Sequence, residues 1–316
     1  MSTELVEVVR SGFREGVHRG SVVIVRPDGV LRHVRGSGRD VVLPRSSNKP
    51  FQILGMLRCG LDLPDDADLA VGCASHSGEA EHVARVRDIL AKHGLTEADL
   101  RCPPDLPVHA GTAEAVLAAG GKAEPVTMNC SGKHACMLAT CVQRGWDTAS
   151  YTDPSHPLQV TIRDTLGELG EEPVTVTAVD GCGAPLFGLS LVALARSFGK
   201  LVQAADGGHE RRIADAMRAH PYLVAGTGRE DTRLMRAVPG LLSKAGAEGV
   251  YGAALPDGTA IALKIDDGNP RARLPVMTGA LRFLGVDHAE LAELAEETVF
   301  GGGRPVGSAR LLPGVF

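Results

Sequence analysis

An α+β fold is the class this sequence predicts, and three observations predict it. Strand-like runs cluster near the two ends of the chain, and apolar residues at helical spacing fill its middle. Two Pro-Asp-Gly turns, at 27–29 and 256–258, each separate a pair of short apolar runs. The two terminal hairpins are therefore expected to share one mostly antiparallel sheet, with a helical region between them in sequence. No linker-like stretch, low-complexity segment or internal repeat interrupts the chain, so residues 1–316 are expected to form a single domain. A chain of 316 residues buries ~75% of its unfolded surface and needs no disulfide frame.

Taken in order, residues 6–10 read as a strand, and 21–26 with 30–34 as a hairpin about the first turn. Glu15 and His18, between them, read as a surface pair in a polar loop. Residues 40–43 are short, apolar and β-branched and end at Pro44. Residues 51–57 carry apolar positions at helical spacing, with Pro50 close to the helix start. Residues 68–73 read as a short buried strand delivering the loop 74–79, which an amphipathic helix follows to about His93. A short helix at 112–119 is closed by Gly120-Gly121. Residues 128–134 lead into an apolar helix at 135–141, and Pro157 opens another to about Leu166. Residues 174–179 alternate like a strand, and helices follow at 191–196 and 210–219. The second hairpin, 249–255 with 259–265, carries Lys264. A helix at 271–284, interrupted at Pro275, precedes a helical tail and an irregular end.

The composition excludes several classes. A net charge of −5 without a basic stripe argues against a nucleic-acid partner. The first residues lack an apolar signal core, and no run of about 18 apolar residues suggests a membrane span, so a cytoplasmic protein is expected. Seven cysteines, an odd number, favour free thiols or metal ligation over disulfides.

Five segments carry side chains suited to chemistry. If a helix opens at Ser46, then Ser46 and Lys49 share the face of its first turn, in the S-x-x-K pattern of serine–lysine acyl transfer. The bland alternative is a helix cap and a solvated charge. Ser75-His76-Ser77 places three hydrogen-bonding groups in one loop, which also reads as a turn and cap. Cys130 and Lys133 can share a face at a helix start, and Cys182 lies in another strand-to-glycine loop. Two thiolates from separate loops suit Zn²⁺, buried inert thiols being the alternative, with Cys130 as nucleophile a third. Lys264 on a hairpin strand reads by itself as an edge charge.

Together these segments resemble the Rhizobium etli-type asparaginase family, the thermolabile asparaginase II kind. The resemblance runs nearly end to end. Its blocks are Arg45-Ser46-Ser47-Asn48-Lys49-Pro50-Phe51-Gln52, Ala74-Ser75-His76-Ser77-Gly78-Glu79, Asn129-Cys130-Ser131-Gly132-Lys133-His134, Asp180-Gly181-Cys182-Gly183-Ala184-Pro185 and Leu263-Lys264-Ile265-Asp266-Asp267-Gly268. It implies a fold akin to serine β-lactamases, penicillin-binding proteins and glutaminases, a homodimer, and hydrolysis of L-asparagine to L-aspartate and ammonia. Ser46 with Lys49 and Ser77 with Lys264 match the family's two Ser–Lys pairs. Cys130, Lys133 and Cys182 match a site for one zinc per chain completed by water, with Asp180 beside it. Arg45, His76 and Asp180 are the expected substrate contacts, and Asp180 is also a catalytic candidate. The competing expectations are another small amide, glutamine or a lactam, or a non-catalytic protein that binds zinc or an amino acid.

Overall fold

The computed structural model describes residues 1–316. The chain opens with β1 (Thr3–Arg10), β2 (Phe13–Val25), β3 (Leu31–Arg35) and β4 (Val41–Val42), then a 3₁₀ turn, Arg45–Asn48, running into α1 (Lys49–Arg58). Five helices follow: α2 (Asp66–Gly72), α3 (Ala80–Lys92), α4 (Ala110–Ala118), α5 (Ser131–Arg144) and α6 (Pro157–Gly170). Three short strands, β5 (Thr177–Val179), β6 (Pro185–Phe187) and β7 (Leu189–Ser190), precede α7 (Leu191–Gln203), α8 (His209–Ala219), α9 (Pro221–Val224) and α10 (Glu230–Ala237). The last part comprises β8 (Leu242–Ala245), β9 (Val250–Ala254), β10 (Ala260–Ile265), α11 (Arg273–Phe283), α12 (Ala289–Glu293), β11 (Glu296–Gly301) and β12 (Arg304–Leu311).

These elements form two compact units, each assembled from separate stretches of chain. The first comprises Met1–Ser47, Leu189–Gln203 and Arg233–Phe316; the second comprises Asn48–Gly188 and Ala204–Thr232. In the first unit an antiparallel sheet runs β11-β12-β1-β2-β10-β9-β8, with β3 paired to β2. Both ends of the chain thus meet in one sheet, as the terminal hairpins predict. Alternate side chains of β9 and β10, Tyr251, Ala253, Ile261 and Leu263, join Val276, Met277 and Leu281 of α11 in one core. On the opposite face α7 comes so close that a Cβ on Gly252 would lie 2.1 Å from the Phe198 ring, so only glycine fits there. With both faces covered, β9 and β10 are buried throughout apart from Lys264.

The second unit is helical apart from the β5–β6 hairpin. Nine of the ten residues of α1 are buried, and α5 is buried from Ser131 to Cys141. These two helices are central to the unit, and the side chains at their N-terminal ends point to the candidate site described below.

Four expectations are corrected. Residues 68–73 are helical, in α2, because Asp65 caps the helix by accepting the Ala67 N–H at 2.8 Å and Asp66 and Asp68 favour its first turn. A short apolar run does not distinguish a buried strand from a buried helix. The chain end is the hairpin β11–β12 rather than an irregular tail. α11 is uninterrupted, since Pro275 falls in its first turn, where no intrahelical N–H bond is lost. His18 belongs to β2, not to a loop, and is 3% exposed, bonded through Nδ1 to Asp267 at 2.6 Å; Glu15 pairs with Arg10 instead.

Candidate active site

Lys49 is the first residue of α1 and wholly buried. Its Nζ donates to the Ala74 carbonyl at 2.5 Å, to Ser75 Oγ at 3.2 Å and to the Asn129 carbonyl at 3.5 Å. All its acceptors come from the loop after α2 and the residue preceding Cys130, so this lysine ties two of the chemistry-bearing segments together. Ser75 had no assigned role in the sequence; its proximity to Lys49 exists only in the fold.

The same loop is braced from inside by His76. Its Nδ1 accepts the Gly78 N–H at 3.2 Å, which leaves Nε2–H to donate to Ser131 Oγ at 2.8 Å, and the Ser131 hydroxyl donates in turn to the Val126 carbonyl. Burial first, then the charges of His82, Lys49 and Arg229, hold His76 well below the usual histidine range, so the ring is neutral. Both nitrogens are engaged within the protein. The resemblance offers His76 as a substrate contact; its hydrogen bonds in the fold run to Gly78 and Ser131. Ser77, next in sequence, donates to the Ala225 carbonyl at 2.9 Å. Gly226 lies against it at φ +132°, and a Cβ there would come within 2.2 Å of Ser77 Oγ. The 225–227 segment is fixed in turn by Thr227, which bonds the Glu79 carboxylate through both N–H and hydroxyl.

Cys130, Lys133 and Cys182 come together in the second unit. Cys130 is the N-cap of α5, Lys133 lies one turn on, and Cys182 sits in the tight turn joining β5 to β6. That turn is closed by Gly183 N–H to the Asp180 carbonyl and Asp180 N–H to the Ala184 carbonyl. Lys133 Nζ donates to Cys182 Sγ at 3.1 Å, and Asp180 Oδ2 lies 3.9 Å from the same sulfur. All three side chains are buried. The neighbouring Cys130 thiol, with the charge of Lys133 and a contact from His134, holds Cys182 far below the ordinary thiol range against the cost of burial. Cys130 is pushed well above that range by Cys182 and by burial. Burial opposes the charge of Lys133, but Cys182, Cys130 and Asp180 outweigh it and raise Lys133 above the ordinary lysine range.

In the first unit, Ser46 is half-buried in the 3₁₀ turn that precedes α1, so it does not open the α-helix itself. The adjacent Ser47 is wholly buried and its hydroxyl is committed to the Pro44 carbonyl at 2.7 Å. Arg45, immediately before it, adopts φ +52°, a left-handed conformation unusual for a residue with a side chain. Its guanidinium lies 3.7 Å from Glu248, and the Glu248 carbonyl accepts from Lys264 Nζ at 2.6 Å. Lys264 also donates to the Ile265 carbonyl at 2.5 Å. Burial lowers Lys264 below the ordinary lysine range, outweighing the opposing charges of Asp266, Glu248 and Asp267. Glu248 thus links Arg45 and Lys264, a role its sequence context did not signal.

The expected residues therefore divide between the units. Arg45, Ser46 and Lys264 belong to the first; Lys49, His76, Ser77, Cys130, Lys133, Asp180 and Cys182 belong to the second. Among solved structures, the chain is similar to a β-lactamase from Mycobacterium bovis, at 15% identity over 87% of this chain and 95% of that one, with a TM-score of 0.43. It is similar to Mglu in its native form at 14% identity over 85% of this chain, with a TM-score of 0.41, and spans 65% of that chain. A third is described as a β-lactamase of Bacteroides dorei, with 14% identity, 84% and 93% coverage and a TM-score of 0.44. Against the curated proteins the chain finds no match. The family model of L-asparaginase II matches residues 6–311, nearly the whole chain, and the protein belongs to that family of amidohydrolases.

Proposed function

We propose that the chain carries out its L-asparagine amidohydrolase reaction through an acyl-enzyme on Ser46, with Lys49, three residues on in sequence, as the base. Ser46 Oγ attacks the carbon of the side-chain amide, and its proton passes to Lys49 in the neutral form. The C–N bond of the tetrahedral intermediate then breaks, and the nitrogen leaves as ammonia with a proton returned to it. Water adds to the ester carbon, the bond to Ser46 Oγ breaks, and L-aspartate is released. Ser77 and Lys264 relay protons and position the substrate, and burial, which lowers Lys264 below the ordinary lysine range, favours its neutral form. Arg45 and Asp180, one cationic and one anionic, complement the carboxylate and ammonium groups of an amino acid. The single observation that carries this assignment is the pair of adjacent serines: Ser47 is sealed into the Pro44 turn and Ser46 is not.

Zinc is the expected cofactor, and the residues present fit it. Two sulfurs and one amine gather in a buried cluster in which Cys182 is held far below the ordinary thiol range. No group of three or more His, Cys, Asp and Glu side chains gathers to hold a metal, so Cys130 and Cys182 would need Lys133 as the third ligand. Bound there, Zn²⁺ would supply a Lewis acid to orient a charged substrate group or a water, with a position left open by three protein ligands. The seven free, buried thiols suit a reducing, cytosolic compartment, and a homodimer completes the proposal.

Ammonia release from L-asparagine, L-glutamine and buffer alone tests the substrate. The expected result is turnover of asparagine well above glutamine, although one methylene is worth only about 1–3 kcal/mol of discrimination. Glutamine turnover exceeding asparagine would move the assignment to another small amide, and no ammonia from either would favour a binding protein.

A further inference from the structure

Glu79 ends the loop that carries Ser75, His76 and Ser77, and the reaction proposed above gives it no task. It stands at the N-cap of α3, where a carboxylate ordinarily accepts the first free N–H groups of the helix, yet its side chain makes no capping bond. The carboxylate reaches instead to the chain after α9. Oε2 accepts the Thr227 N–H at 3.0 Å, and Oε1 accepts the Thr227 hydroxyl at 2.6 Å.

These two bonds end a series. Ser75 N–H donates to the Val224 carbonyl at 3.0 Å, and the Ser77 hydroxyl donates to the Ala225 carbonyl at 2.9 Å. Residues 75, 77 and 79 thus meet 224, 225 and 227 in step. There is no slack between the two segments: a Cβ on Gly226 would lie 2.2 Å from Ser77 Oγ and 2.7 Å from Glu79 Oε2. Thr232 adds a bond from its hydroxyl to the Gly226 carbonyl at 2.8 Å.

The direction of the Ser77 proton follows. A hydroxyl has one proton and two lone pairs. With the proton given to the Ala225 carbonyl, Ser77 has only lone pairs left for any other group, so it meets a donor and not an acceptor. A serine free to turn about its Cβ would offer either.

We propose that Glu79 is a positioning residue for Ser77: its two bonds to Thr227 keep the Ala225 carbonyl on the Ser77 hydroxyl, which then receives hydrogen bonds from the substrate side as an acceptor. The consequence for turnover rests on the role proposed above for Ser77; the clamp itself does not.

The test uses the full chain, with thermal melts verifying the fold of each variant. Glu79→Ala and Thr227→Val are expected to lower kcat for asparagine about tenfold. Thr227→Ser, which keeps both the N–H and the hydroxyl, is expected to stay within about twofold of wild type. In a Ser77→Ala background, Glu79→Ala is expected to cost less than about twofold more, since the group it positions is gone. Hydrogen exchange at the Ser75 amide is expected to quicken about tenfold or more in Glu79→Ala. An unchanged Ser75 exchange rate overturns the proposal. So, where Ser77→Ala is impaired, does near wild-type kcat in Glu79→Ala, an equal loss in the two backgrounds, or a Thr227→Ser enzyme as slow as Thr227→Val. Should wild type release no ammonia, or Ser77→Ala match wild type, the reading of Ser77 fails, and the Ser75 exchange rate decides the clamp alone. Should Ser77→Ala be too slow to measure, or Glu79→Ala not fold, the contrast of Thr227→Val with Thr227→Ser, in kcat and in Ser75 exchange, decides it.

Discussion

Lys133 and Lys264 are set by their surroundings in opposite directions. Lys133, in the second unit, is wholly buried, yet its neighbours raise it above the ordinary lysine range, because Cys182, Cys130 and Asp180 surround its ammonium. Lys264, in the first unit, is only half-buried and has three carboxylates acting on it, yet burial lowers it. Its ammonium bonds neutral backbone carbonyls of Glu248 and Ile265 and no charged atom. Depth of burial therefore does not decide which lysine stays charged; the charge of the directly bonded acceptor does. The surroundings of Lys133 hold it as a cation. Those of Lys264 favour its neutral form, as the proton exchange proposed for it requires.

The largest effect expected from this contrast is on Lys264. An arginine there keeps the charge but does not act as a base below about pH 12, so Lys264→Arg should lower kcat/KM for asparagine by about 10²–10⁴-fold with the melting temperature little changed. Steady-state kinetics with a thermal melt check this, and near wild-type turnover would make Lys264 an electrostatic rather than a proton-transferring group. Next comes Lys133→Met, which leaves the Cys182 thiolate without its cation and should cost about 3 kcal/mol of folding stability. Denaturant unfolding measures it, and a change below about 0.5 kcal/mol would mean that the Lys133–Cys182 bond contributes little.

The acid side of the stability profile is a third test, and its sign follows from three buried histidines. Burial is the leading cause that lowers each of His76, His82 and His134, so the folded chain binds fewer protons there than the unfolded chain. Stability should therefore be complete above the unfolded value of 6.5 and fall as pH drops below it. Each histidine still neutral in the fold adds a slope of about 1.4 kcal/mol per pH unit. Replacing His76 by Gln should flatten the profile between about pH 6.5 and 5, and an unchanged slope would show that His76 is not among the groups resisting protonation. The smallest effect belongs to Glu248, whose side chain is 64% exposed and 3.7 Å from Arg45. Glu248→Gln should change stability by less than about 1 kcal/mol, because the carbonyl that Lys264 uses is main chain and survives the substitution. A larger loss of stability would mean that the carboxylate, not the main chain, holds the Arg45 turn.

Much of this was legible in the sequence, and the pattern of success is physical. Paired turns and β-branched runs placed both hairpins, because a strand alternation beside Pro-Asp-Gly has few other solutions. The thiol cluster was readable as two separate loops, but its convergence with Lys133 depends on the β5–β6 turn, which local sequence does not encode. Residues 68–73 were misassigned because a six-residue apolar run fits either a strand or a capped helix, and Asp65 decided between them. The lysine contacts of Ser75 and Glu248 were not legible for a shared reason: one side chain and one main-chain carbonyl meet their lysines at sequence separations of 26 and 16 residues.

The most direct measurement is the position of the acyl group. Wild-type protein quenched in acid during asparagine turnover, digested and analysed by mass spectrometry, should carry one β-aspartyl group on the peptide containing Ser46. Ser46→Ala protein, still folded because Ser47 rather than Ser46 closes the Pro44 turn, should carry none and should lose activity by about 10⁴-fold or more. An aspartyl group on the Ser77 or Cys130 peptide, or turnover that persists in Ser46→Ala, would contradict Ser46 as the nucleophile.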